Sequence, residues 1–188
     1  MKAASVKELQ LELEQKPHPE LVALCLRLAR FKKENKELLT YLLFESFDQE
    51  AWIRLIKKEM EEQFEDMNRS NNYLIKKSLR KILRTISKFS RYSGETNVEI
   101  QLLLHFCLLI RSQKININAS EGLFNLYQNQ LKKLKKLIAT MHEDLQYDYL
   151  RELSALEEMP AKTSVAKKIL SYFENKKNAK VKDKKTSS

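Results

Sequence analysis

Apolar residues along this chain have one clear maximum. Val98 to Ile110 reads VEIQLLLHFCLLI, with ten of thirteen positions apolar and only Glu99, Gln101 and His105 between them. A helix that is hydrophobic on every side belongs in an interior. This segment is therefore expected to be the central helix that the others cover. Gly94 behind it is suited to end the preceding helix in a left-handed conformation. Thr96-Asn97-Val98-Glu99 has the form of a capping box that opens it.

The remaining segments alternate at helical spacing. Ser5-Val6-Lys7-Glu8 is a further capping box and predicts a short helix to about Gln15. Pro17 and Pro19 separate it from a leucine-rich helix over Glu20 to Phe31, and Glu37 to Phe47 reads as a third. The pattern leaves open whether Asn35 ends one helix or the helix runs straight through. Asp48 is a good N-cap for Gln49 to Met67, with Ile53, Ile56, Met60, Phe64 and Met67 inward and Glu59, Glu61, Glu62, Glu65 and Asp66 outward. After Asn68 to Asn72, a helix over Tyr73 to Tyr92 turns Ile75, Leu79, Ile82, Ile86 and Phe89 inward. Lys114 to Ser120 reads as a loop.

From Ser120 to about Met159, Tyr127, Leu131, Leu134, Ile138, Met141, Leu145, Tyr149, Leu153 and Leu156 keep three- and four-residue spacing. One helix of about 35 residues would span about 52 Å, enough to need several neighbours or a second chain. Pro160 should end it, and a short helix is expected over 160–175, followed by a disordered basic tail over 176–188.

Composition fixes the class. Two Gly and three Pro in 188 residues leave almost nothing for hairpin turns, while helix formers such as Leu, Lys and Glu abound. The expectation is one all-α domain over 4–159 with about seven helices, arranged as an irregular antiparallel helical bundle. The alternative is an armadillo- or HEAT-like stack of helical hairpins, although no fixed-period repeat is present.

Charge changes the picture less than its total suggests. Of the net +10, residues 161–188 hold +7, with nine Lys against Glu174 and Asp183, so 1–160 are nearly balanced at +3. Cys25 and Cys107 lie in apolar runs without metal-ligand spacing and read as small core residues. The N-terminal segment lacks the apolar stretch of a signal peptide. The longest apolar run falls short of the ~20 residues that span a bilayer. These features point to a reduced, cytoplasmic protein with no membrane partner.

Candidate chemistry is sparse. Lys77, Arg80, Lys81, Arg84, Lys88 and Arg91 share one face of their helix. Either they attract the acidic flank of the preceding helix, or they form a phosphate- or partner-binding face. Lys132, Lys133, Lys135 and Lys136 read as a solvated face, and the tail as a solubilising terminus or a weak electrostatic contact. Asp144, Asp148 and Glu152 fall on one helix side, with His142 about 160° from Asp144 at 100° per residue. The Glu-x-x-His pairs of di-iron bundles do not occur. His105 is expected to be a core histidine bonded to a neighbour, pointing away from Cys107. No glycine-rich phosphate loop or nucleophile elbow is present, so no catalytic, metal or cofactor-binding residue is assigned and no enzyme is expected.

The stretches SVKELQLELEQ, ELVALCLRLARFKKENKELLTYLLFE and HEDLQYDY resemble a group of uncharacterised all-helical bacterial proteins. That resemblance spans most of 4–155 and implies the all-helical class and a bacterial cytoplasm. It brings no activity or binding residue. The resulting expectation is a non-catalytic protein-interaction or scaffolding module, with self-association through the long helix 120–159. Nucleic-acid binding by the basic helix 76–91 and the lysine-rich tail is the alternative.

Overall fold

Residues 2–158 are described by the computed structural model, and all their regular structure is helical. The short helix and basic tail expected beyond Met159 lie outside them. The chain divides into two compact units, Met1–Gln49 and Glu50–Ser188.

In the first unit, α1 (Val6–Glu14) opens with the capping box read from the sequence. The Ser5 hydroxyl accepts from the Glu8 amide at 3.3 Å, and the Ser5 amide donates to the Glu8 carboxylate at 2.7 Å. That bond holds the Glu8 carboxyl below the usual glutamate range. α2 (His18–Phe31) carries a proline in its first turn. Lys32 is extended, with φ −142° and ψ 143°, so the break falls there and not at Asn35. Asn35 instead donates through Nδ2 to the Leu28 carbonyl at 2.9 Å, satisfying an orphan acceptor near the end of α2. α3 (Lys33–Thr40) runs on into a π-helical turn over Tyr41–Glu45. Of the large apolar side chains here, only Tyr41 is buried.

The second unit is built around α6 (Thr96–Ser112). Val98 and every residue from Ile100 to Ile110 are buried, as the apolar run requires. α4 (Gln49–Glu65) begins at the border of the units and meets α6 through Phe64 and Phe106, whose ring centroids lie 5.8 Å apart edge to face. α5 (Asn72–Ser93) has an Asn71 N-cap and ends at Gly94, with φ 68°. Trp52 near the start of α4 meets Phe89 near the end of α5 at 5.5 Å, so these two helices run antiparallel. α7 (Glu121–Ile138), capped by Ser120, follows a 3₁₀ turn over Ile117–Ala119. α8 (Glu143–Glu158) is fixed to α6 by Arg111, whose Nη2 donates to the Leu156 carbonyl at 3.2 Å. Tyr149 also donates its hydroxyl to Asn97, and burial raises the Tyr149 phenol above its usual range. At the opposite end Arg69 donates to the Phe64 carbonyl at 3.1 Å and to Gln113, tying the α4–α5 turn to the end of α6.

Two sequence expectations are corrected. The single helix over 120–159 is two helices, α7 and α8, joined by a turn at Ala139–His142. The Thr140 hydroxyl donates to the Leu137 carbonyl at 2.7 Å, and the Gln146 side chain donates to the Met141 carbonyl at 2.8 Å. Local side-chain bonds thus replace the helical ladder, and the length that argued for self-association through this element is lost. The second correction concerns α6. It starts at Thr96, so Thr96 is already helical, and its expected N-cap role falls to Glu95, which makes no side-chain cap bond. Glu99, the expected partner of that box, pairs with Lys133 of α7 instead.

Candidate functional site: a basic helix face beside an open cleft

The apolar stripe of α5 decides where its cations go. Leu79, Ile82, Ile86 and Ser90 are buried. At about 100° per residue the six basic residues lie in an arc of about 100° on the opposite side. Lys77, Arg80, Lys81, Arg84 and Arg91 are exposed there, while Lys88 is half-buried. The Lys88 ammonium lies 4.7 Å from the Phe89 ring centroid and 6.0 Å from that of Tyr92, an arrangement that lets a cation bind an aromatic face. Arg91 Nε donates to the Ser87 carbonyl at 3.3 Å. The structure thus places all six sequence-selected residues along one helix. Among the described residues, no carboxylate lies within ion-pair distance of Lys77, Arg80, Lys81 or Arg84. No close ion pair joins the α4 flank to those four.

The face ends at a shallow, open cleft of about 520 Å³ where α5, α6 and α7 meet. Arg91 and Lys133 supply its positive groups and Glu95 and Glu99 its negative ones, so its lining is electrically balanced. The ion pair between Lys133 and Glu99 already engages one charge of each sign. Ser90 also lines the cleft, but its hydroxyl is buried and lacks a hydrogen-bond partner among the described residues. No histidine or cysteine lies in the lining, whose polar groups are serine and threonine hydroxyls, two carboxylates and two cations.

His105 is 8% exposed in the middle of α6, and its Nε2 sits 3.0 Å from Glu61 Oε1 of α4. Glu61 was read as part of the outward acidic face; it is half-buried against the core instead. The polar contact with His105 is the main reason that its carboxyl lies below the usual glutamate range, against the opposing pull of burial. A core histidine with a neighbouring partner is thus what the structure contains. Cys107, two residues on, is fully enclosed, and burial pushes its thiol up to about 12.

His142 precedes α8, and its Nδ1 is 3.5 Å from Asp144 Oδ2 with both side chains in solvent. The turn before α8 brings together two groups that a continuous helix would separate. Among the described residues, no group of three or more His, Cys, Asp or Glu side chains is placed to hold a metal ion.

A different surface stands out that the sequence pattern did not single out. Thirteen large apolar side chains of the first unit are exposed, from Val6 and Leu9 in α1 through Leu28 and Phe31 in α2 to Phe44 and Phe47 beyond α3. The sequence signal is LVALCLRLARF, which like the core of α6 is apolar on nearly every side of its helix.

No protein-family model, curated protein or solved structure matches the chain. Nothing indicates a known family, and the fold class rests on the helices themselves. Among the described residues, no helix is long and apolar enough to cross a membrane.

Proposed function

We propose that the protein is a non-catalytic protein-interaction or scaffolding module that works in the cytoplasm. One observation carries this reading: the thirteen exposed apolar side chains of the first unit. Large apolar surface left open to water favours interaction, and these thirteen side chains all fall within one unit of the chain. Two cysteines that form no disulfide, one of them enclosed in the core, favour the cytoplasmic part of the reading. Photo-crosslinking in cells, with the reactive group at Phe31, tests it. Adducts to polypeptide are expected there, and their absence alongside nucleic-acid adducts at Arg84 overturns it.

Those nucleic-acid adducts would instead support the second reading, favoured by Lys77, Arg80, Lys81 and Arg84, which have no ion-pair partner among the described residues. Binding through them should weaken steeply as salt rises, because each phosphate contact releases counterions. Filter binding that retains no RNA or DNA at low salt disposes of it.

A further inference from the structure

We propose that the partner of the first unit is a second copy of this chain, with α1 to α3 of two protomers packed about a two-fold axis. This rests on the interaction reading above and supplies its partner.

Area is the first ground. The thirteen side chains expose the equivalent of seven to eight whole apolar residues, on the order of 1,200 Å². Spread over α1, α2 and residues 42–47, this total exceeds the about 800 Å² that a stable interface buries on each partner. α1, α2 and α3 have only 9, 14 and 8 residues. Isolated helices shorter than about 12–15 residues are marginal in water without tertiary packing. α2 in particular is apolar around most of its circumference and needs cover on more than one side. A copy related by a two-fold axis supplies that cover, because each protomer then brings both a donor and a recipient face.

Charge is the second ground, and it selects the occupant. Residues 1–49 carry eight basic and eight acidic side chains, so the full net +10 belongs to 50–188. A nucleic acid or an acidic protein would be drawn to the second unit. Within the first, the charges are segregated: α1 holds Glu8, Glu12 and Glu14 against Lys7, whereas 27–33 holds Arg27, Arg30, Lys32 and Lys33 and no acid. Two copies that set α1 of one chain on the basic end of α2 of the other match these signs twice, once on each side of the axis. An anionic membrane surface would be repelled by α1, where a surface-lying helix would carry Lys and Arg on its polar face.

Sedimentation of the full chain, with a charge-swap experiment, tests the proposal. The chain, 22.2 kDa as a monomer, should sediment at twice that mass. Substituting Glu12→Lys with Glu14→Lys, or Arg27→Glu with Arg30→Glu, should weaken each homodimer about tenfold or more. Mixing the two variants should restore association, since the swapped signs again oppose. Leu28→Glu with Phe31→Glu should leave a monomer whose second unit keeps its buried Trp52 environment. A dimer indifferent to all these changes overturns the assignment to the first unit. A monomer at every concentration that still binds an apolar dye, with the dye lost in the Leu28→Glu, Phe31→Glu form, overturns self-pairing but leaves the interaction reading standing. A monomer that binds no dye means the patch is covered within the chain, and both readings fail. Binding to anionic lipid vesicles in preference to itself also overturns the proposal.

Discussion

The same substitution at two phenylalanines should have opposite consequences. Phe106 is 0% exposed at the centre of α6 and meets Phe64 edge to face, whereas Phe31 at the end of α2 is 76% exposed. Replacing Phe106 with Ala removes a whole buried ring, leaves a cavity among fully enclosed neighbours and takes away an aromatic pair. Such changes cost about 3–5 kcal/mol in well-packed cores. Natural domains have only about 5–15 kcal/mol of total stability, so this variant should unfold at a much lower denaturant concentration or fail to fold. Phe31→Ala removes a ring that the single chain leaves mostly in water, and should stay within about 0.5 kcal/mol of the parent. Urea unfolding at high dilution, where chains are separate, measures both. Trp52 reports it, being the only tryptophan, 5% exposed and in contact with Phe89. Phe106→Ala costing under about 1 kcal/mol would place α6 away from the core and refute the reasoning. A large loss for Phe31→Ala at the same dilution would show that its ring is packed within the chain.

Other outcomes follow from the polar and special positions. Because the folded carboxyl of Glu61 titrates below its unfolded value, its contribution is present above the ordinary glutamate range and is lost as pH falls through the folded value. His105→Leu removes the main cause, so the stability difference from the parent should shrink as pH falls through and below the ordinary glutamate range. A pH-independent difference would mean that the Glu61 contact contributes nothing; its size should be modest, since Glu61 keeps access to water. Gly94→Ala meets no neighbouring atom but must adopt φ near 68°, so a loss of about 1 kcal/mol is expected by denaturation, and no loss would mean the end of α5 relaxes. In dilute protein, where chains are separate, exposed Cys25 should react promptly with a disulfide reagent and buried Cys107 only on unfolding. Two prompt thiols would contradict the packing of α6.

What could be read in the sequence was what local pattern decides. The buried α6 was legible because Val98 to Ile110 is apolar on nearly all sides, and the stop at Gly94 because glycine takes the left-handed conformation without the strain other residues meet there. The six cations of α5 were legible because a strong apolar stripe leaves them a single place to go. The break between α7 and α8 was not, since Ile138, Met141 and Leu145 keep helical spacing across a turn that holds neither Gly nor Pro. Glu61 was misplaced for a related reason: its position beside an apolar stripe does not reveal that a core histidine will draw it inward. The open surface of the first unit was hidden most deeply. Periodicity tells which side chains favour burial, but not whether their own chain provides the cover.

Hydrogen exchange read by mass spectrometry across a range of protein concentrations bears most directly on the assignment of the first unit as an interaction element. Short helices with little buried apolar surface open readily, and their amides exchange fast unless a partner closes them. Peptides covering 6–47 should exchange rapidly in dilute protein and become protected as concentration rises, while those covering 98–110 stay protected throughout. Protection of 6–47 that is already complete at the highest dilution, and unchanged above it, would contradict the assignment.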